Sequence, residues 1–295
     1  MTVTLLRFYH WLLLSEGWPR RLTALVAGAS GALALAPIGF FPAFAVSFPV
    51  AVWLIDGATA GATRFSPRPL IAAAADGWWF GYGYFLAGLW WIGAAFLVET
   101  DEFAWAMPFG VLGLPALLAL FTAAGFALAR AVWFAGTARI FALAFGLGVS
   151  EALRHVLFTG FPWNTFGQGF GATLVLAQPA ALIGTEGLGL AAILIFSAPA
   201  TLVDDRQGRP LWRPTILALL TLAGLAGFGL ARLTLAGGLR AGAQAPERVE
   251  GVRLRLVQPN MSQREKIAQR DGLAILSRLL ALSDRATGPQ STGMA

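Results

Sequence analysis

The 295 residues contain no cysteine. That excludes from them a disulfide, a thiolate metal site and a cysteine nucleophile. Charge is scarce too: 12% of residues are charged, where soluble domains carry roughly 25%. Whole stretches, such as Leu22–Ile55, carry none, and that length is enough to cross a bilayer more than once. The two histidines, His10 and His155, are far apart in sequence, and His-Glu-x-x-His, Walker and dinucleotide motifs are all missing. No metal and no cofactor is therefore expected.

What fills the chain instead is apolar. Hydrophobic residues make up 57% and the mean hydropathy is +0.68, so the expected fold class is an all-α polytopic membrane bundle. The net charge of +6 could suggest nucleic acid, but its carriers sit in short loops between apolar segments, where cytoplasmic Lys and Arg belong. No nucleic-acid partner is expected. The first 21 residues hold a brief apolar run, Trp11–Leu14, without an h-region and cleavage site, and read as an uncleaved interfacial lead-in.

Seven apolar segments follow within residues 22–240: Leu22–Ala36, Phe40–Ile55, Leu70–Val98, Phe103–Trp133, Ile140–Phe158, Ala172–Val203 and Thr215–Ala236. Pro37-Ile38-Gly39 splits the first two into a tight hairpin. The third, fourth and sixth exceed the ~20 residues of a span, so they tilt, kink or project beyond the lipid, with Pro108, Pro115 and Pro179 as kink points. With the N-terminus inside, Arg7, Arg20, Arg21, Arg64, Arg68, Arg130, Arg139, Arg206, Arg209 and Arg213 all fall on the cytoplasmic side. The opposite side receives the acidic loop Glu99–Glu102 and the 154–171 loop, with Arg154 alone. An even number of spans would destroy this segregation.

Seven crossings place the remainder outside. There Val252, Leu254 and Leu256 alternate with Arg253 and Arg255, the period-2 pattern of a half-buried strand, and Ser262–Asp284 has helical spacing of apolar residues. Residues 251–285 thus read as the start of an extracytoplasmic domain, and 286–295 as an irregular Gly/Pro-rich tail.

Several residues could carry chemistry or binding. The loop "TGFPWNTFGQ", Thr159–Gln168, sets Phe161, Trp163 and Phe166 among glycines, a proline and Asn164. It reads either as an aromatic interface belt or as a lipid-facing rim beside a site. Glu151 and Arg154, at i and i+3, are close enough on a helix to pair. Glu186 lies well within the sixth segment; intramembrane carboxylates are rare and mark either a bundle-stabilising pair or a polar cavity open to headgroups. Trp78, Trp79, Tyr82, Tyr84, Trp90 and Trp91 make the third segment aromatic, mostly for packing, and the Gly77/Gly81 GxxxG pair is a weak signal.

Five stretches, in order, resemble the apolipoprotein N-acyltransferase family. They are "ALALAP" (Ala32–Pro37), "GLWW" (Gly88–Trp91), "SEALRHVLFTGFPWN" (Ser150–Asn164), "IGTEGLG" (Ile183–Gly189) and "RLVQPNMSQREK" (Arg255–Lys266). Ile267 departs from the aromatic residue often found there. The resemblance implies an eight-helix membrane bundle of the bacterial inner membrane, with a periplasmic nitrilase-like α/β domain inserted between helices seven and eight. This chain would hold seven helices and the first strand and helix of that domain. The implied reaction moves an acyl chain from a phospholipid donor, through a cysteine thioester aided by a glutamate and a lysine, to the N-terminal diacylglyceryl-cysteine of an apolipoprotein acceptor. By that resemblance all three catalytic residues lie beyond residue 295, so the chain is expected to be truncated and inactive alone. Glu151, Arg154, Trp163, Asn164 and Glu186 are the expected organisers of a lipid-facing mouth below the missing active site. The alternative is a non-enzymatic membrane scaffold or small-molecule transporter, against which stands the lack of an inverted repeat.

Overall fold

A computed structural model describes residues 2–59, 67–98, 100–206, 209–235, 256–258, 260 and 272–284. Helices dominate: α1 (Thr2–Leu14), α2 (Gly17–Ala32), α3 (Phe44–Thr59), α4 (Pro67–Gly88), α5 (Thr100–Phe103), α6 (Leu114–Ala131), α7 (Arg139–Val156), α8 (Leu174–Ala177), α9 (Ala180–Ser197), α10 (Arg213–Leu235) and α11 (Gly272–Asp284). The only extended pairing among the described residues is two residues against two, β1 (Asp205–Arg206) antiparallel to β2 (Arg209–Pro210), in the turn between α9 and α10. The strand expected from Val252 to Leu256 lies outside the described residues except for Leu256. The described part of the helix expected over Ser262–Asp284 is indeed helical, as α11, and none of its residues is buried.

Five helical stretches are long and apolar enough to cross a membrane: Phe41–Ala58, Thr100–Ala131, Gly136–Val156, Ala180–Val203 and Arg213–Leu235. A sixth exists if α4 and the 3₁₀ segment Trp90–Leu97, bent by 50° from it, count together. The bundle is thus all-helical, with five to six such stretches where seven segments were expected. The first segment does not qualify, and the third does so only with its bent extension. The helix of the first, α2, ends at Ala32 and has sixteen residues, about 24 Å against a hydrocarbon core of about 30 Å. Leu33–Ile38 continue as turns, through a cis Ala36–Pro37 bond.

The long segments break at their punctuating residues. Pro108 precedes a π-helical turn, Phe109–Gly113, and Pro115 enters the first turn of α6, where its missing N–H costs nothing. Pro179 separates α8 from α9. Small residues let the inner helices approach closely. A methyl built on Gly28 of α2 would sit 1.8 Å from the Phe80 carbonyl oxygen of α4, and one on Gly83 of α4 would sit 2.0 Å from the Leu25 carbonyl oxygen of α2. On α4 the Gly77/Gly81 pair faces Thr122 and Phe126 of α6, so this GxxxG does form a helix contact.

Buried charge ties the helix ends. Arg139, at the start of α7, bridges Asp56 of α3 at 3.4 Å and Asp204 after α9 at 2.7 Å. Trp133 Nε1 donates to Asp56 at 3.1 Å, and Trp53 Nε1 donates to the Ala200 carbonyl at 3.1 Å. Arg20 of α2 meets Asp76 of α4 at 2.7 Å and donates as well to the carbonyls of Leu12 and Leu54, so it joins α1, α2, α3 and α4. With α7 about 27 Å long, the Arg139 cluster and the 157–173 loop lie at opposite ends of the bundle.

Candidate functional site

The loop of residues 157–173 folds back onto the end of α7, and two side chains of the last α7 turns hold it there. Arg154, only 2% exposed, donates Nη1 to the carbonyls of Phe161 at 2.5 Å and Trp163 at 2.6 Å. Its Nη2 reaches Glu151 Oε1 at 3.4 Å, the i,i+3 pair expected from spacing, and its guanidinium lies 5.2 Å from the centroid of the Phe85 ring. Glu151 Oε1 in turn accepts the backbone N–H of Phe166 at 2.9 Å. One acid and one base, both buried, thus pin three points of the loop. Burial of such a pair is tolerable only because each partner has these further hydrogen bonds.

The backbone supplies the remaining shape. Phe158 and Asn164 have φ of 51° and 55°, and Gly160 has φ of 84°. Asn is among the few non-glycine residues that tolerate this left-handed region. Asn164 is buried, its Nδ2 lies without a hydrogen-bond partner, and it packs where a Cβ on Gly88 would stand 2.3 Å away. Phe166 then enters an aromatic cluster with Phe44, Phe48 and Tyr84, at centroid distances of 6.2, 5.2 and 5.0 Å. Trp163, between two pinned carbonyls, is 55% exposed and meets Phe161 and Trp91 edge-on at 5.2 and 6.4 Å. The clamp therefore displays one indole at the surface while burying its own charges.

Glu186 is placed differently from the other four. Helix α9 is interrupted at Gly184, which has φ of 69° and ψ of 179°, so Glu186 stands just after a break near the loop end, 60% exposed on its side chain. It meets His155 Nδ1 at 3.3 Å, across from α7. The structure brings Glu151, Arg154, Trp163 and Asn164 into one assembly, and Glu186 and His155 onto its flank.

Tyr84, read from the sequence only as packing, lies fully buried beside the loop with its hydroxyl unpartnered. Sequence reasoning passed over Thr165, whose Oγ1 is likewise buried and unpartnered. Away from the loop it also passed over Asp76, buried against Arg20, which the rule that flagged Glu186 would have found. Among the described residues no group of three His, Cys, Asp or Glu could hold a metal ion. Glu151 Oε1 and both Arg154 Nη atoms are engaged with each other and with the loop backbone, and what the arrangement does is position the loop.

Residues 27–198 match the family model described as the apolipoprotein N-acyltransferase N-terminal domain. Among curated relatives, an apolipoprotein N-acyltransferase of Rhodopseudomonas palustris is 46% identical over 284 residues, covering 96% of this chain and 51% of the relative. That of Bradyrhizobium diazoefficiens is 48% identical over 284 residues, with the same shares, and that of Brucella suis 44% over 278 residues, 93% and 50%. The chain spans about half the length of the curated relatives it matches. With the family model covering more than half of its residues, the chain belongs to the apolipoprotein N-acyltransferase family.

Proposed function

We propose that these residues form the membrane portion of an apolipoprotein N-acyltransferase, which receives a phospholipid acyl donor and a diacylglyceryl apolipoprotein acceptor for acyl transfer. The observation that carries this reading is the continuous match over 284 residues at 46% identity. The transfer calls for a cysteine thiolate, which splits the reaction into formation and aminolysis of a thioester. These 295 residues contain no cysteine and so cannot supply it.

Their part is positioning. Glu151 and Arg154 hold the 157–173 loop so that Trp163 lies at the mouth where acyl chains enter, with Asn164 fixing the turn and Glu186 offering an exposed carboxylate on the flank. The topology that fits is seven crossings of the bacterial inner membrane. Helices α2, α3, α4 with its bent extension, α6, α7, α9 and α10 alternate in direction, with the N-terminus and the Arg139 end cytoplasmic. The loop and the residues after α10 are then periplasmic. The segregation of arginines to one end supports this orientation.

The test is reconstitution in a strain depleted of its own N-acyltransferase. This chain, co-expressed with the second half of the Rhodopseudomonas relative, is expected to restore N-acylation of a reporter lipoprotein, and the chain alone to give none. Failure of the pair while the intact relative works in the same strain would overturn the reading. Acylation by the chain alone would overturn the positioning role.

A further inference from the structure

A lipid-sized feature lies far from the loop. Between α7, α9 and α10, at the Arg139 end, a crevice of about 600 Å³ opens to the surface of the bundle. Its walls are Ile140 and Phe141 of α7, Leu194 of α9, and Leu217 and Thr221 of α10, with Arg213 at the end where α10 begins. From Arg213 to Thr221 the crevice runs about 12 Å along the helix axis, the reach of several methylene groups. Phe141 and Leu217 leave most of their surface uncovered by protein, so the crevice faces the hydrocarbon.

Arg213 differs from Arg139 at the same end. Arg139 is taken by Asp56 and Asp204, whereas among the described residues Arg213 has no carboxylate partner. It stands in the first turn of a 23-residue helix, where the free backbone N–H groups favour an anion, and Pro214 follows in the same turn. Trp212 beside it is half exposed, as an indole at headgroup level would be. An apolar slot, an uncommitted cation and a helix N-terminus converge on one ligand chemistry.

We infer that this crevice binds one anionic phospholipid from the leaflet at the Arg139 end, with an acyl chain along Phe141 and Leu217 and its phosphate at Arg213. Basic pockets between membrane helices recognise acidic headgroups in this way. The inference needs the bundle to lie in a membrane and does not depend on acyl transfer. The site is at the end opposite the loop, so its lipid is a structural ligand rather than the acyl donor.

Delipidated full chain is titrated with phosphatidylglycerol or phosphatidylcholine in detergent, and bound lipid is counted by native mass spectrometry. One phosphatidylglycerol is expected to be retained over phosphatidylcholine. R213Q should weaken phosphatidylglycerol binding about fivefold, the worth of one basic residue at a membrane surface, and leave phosphatidylcholine unchanged. L217W should fill the slot and lower binding of both lipids. L219W, on the same helix but off the crevice, controls for folding and should match the parent. Equal retention of the two lipids overturns the inference. So does unchanged phosphatidylglycerol binding in R213Q, or occupation of the crevice by a second copy, seen as a cross-link from position 217.

Discussion

Removing the guanidinium of Arg154 leaves the Phe161 and Trp163 carbonyls without their donor and Glu151 buried with a single backbone partner. Breaking a buried pair from one side costs about 3–5 kcal/mol. Arg154→Gln is therefore expected to lower the thermal midpoint in detergent strongly and to open the 157–173 loop to protease. Glu151→Gln should cost less, because a glutamine oxygen still accepts the Phe166 N–H and Arg154 keeps its two carbonyls. An equal loss in both variants would show that the loop is held by its aromatic contacts instead. At this scale the i,i+3 spacing of Glu151 and Arg154 made their pairing legible. The loop carbonyls were not, because they reach Arg154 only through the positive φ values of Phe158, Gly160 and Asn164, which no residue pattern announces. Glu186 was read as deep in a segment; the break at Gly184 brings it to the loop end, while Asp76, which drew no attention in the sequence, is buried within α4.

Elements meet where side chains are absent. Gly83 faces the Leu25 carbonyl at a distance that admits no methyl, and a backbone oxygen cannot rotate away. Gly83→Ala must push α2 and α4 apart, and overpacking of this kind costs about 1–3 kcal/mol. Gly224→Ala on α10 meets nothing within 4 Å and is expected to be neutral or to stabilise slightly. A pair of urea or thermal unfolding curves in the same detergent separates the two; similar shifts would mean that helix propensity, not approach, decides. At Gly184 the backbone lies in a region open almost solely to glycine, so Gly184→Ala should destabilise by about 1–3 kcal/mol and loosen the His155–Glu186 contact. The proline breaks at Pro108, Pro115 and Pro179 were legible from the chain. The 50° bend after Gly88 was not, since no proline marks it; a segment reading as one 29-residue apolar run ends instead as a separate 3₁₀ arm bearing Trp90 and Trp91.

For the whole molecule, the apolar runs and scarce charge made an all-helical membrane bundle legible, but span counting was weaker. A sixteen-residue helix with two arginines in its first turns is marginal by length, and its place in the bundle depends on α4 beside it rather than on its own hydropathy. Orientation can be measured directly, because a chain without cysteine gives a clean background. Gln168→Cys and Ala138→Cys sit at exposed positions near opposite ends of the bundle. Gln168→Cys is expected to react with an impermeant maleimide added outside, and Ala138→Cys only once the membrane is opened to the reagent. Labelling of both from the same face would overturn the alternating arrangement.

Arg139 also sets a timetable. The ribosome delivers α7 with Asp56 already made, but Asp204 is 65 residues away in the chain, beyond the loop and all of α9. Until that stretch emerges, the arginine has only one of its two carboxylate partners. The second carboxylate then arrives just after α9 and closes the circle of α3, α7 and α9. Bundle closure is thereby tied to the completion of α9, so a nascent chain interrupted before that helix is left with its tie unfastened.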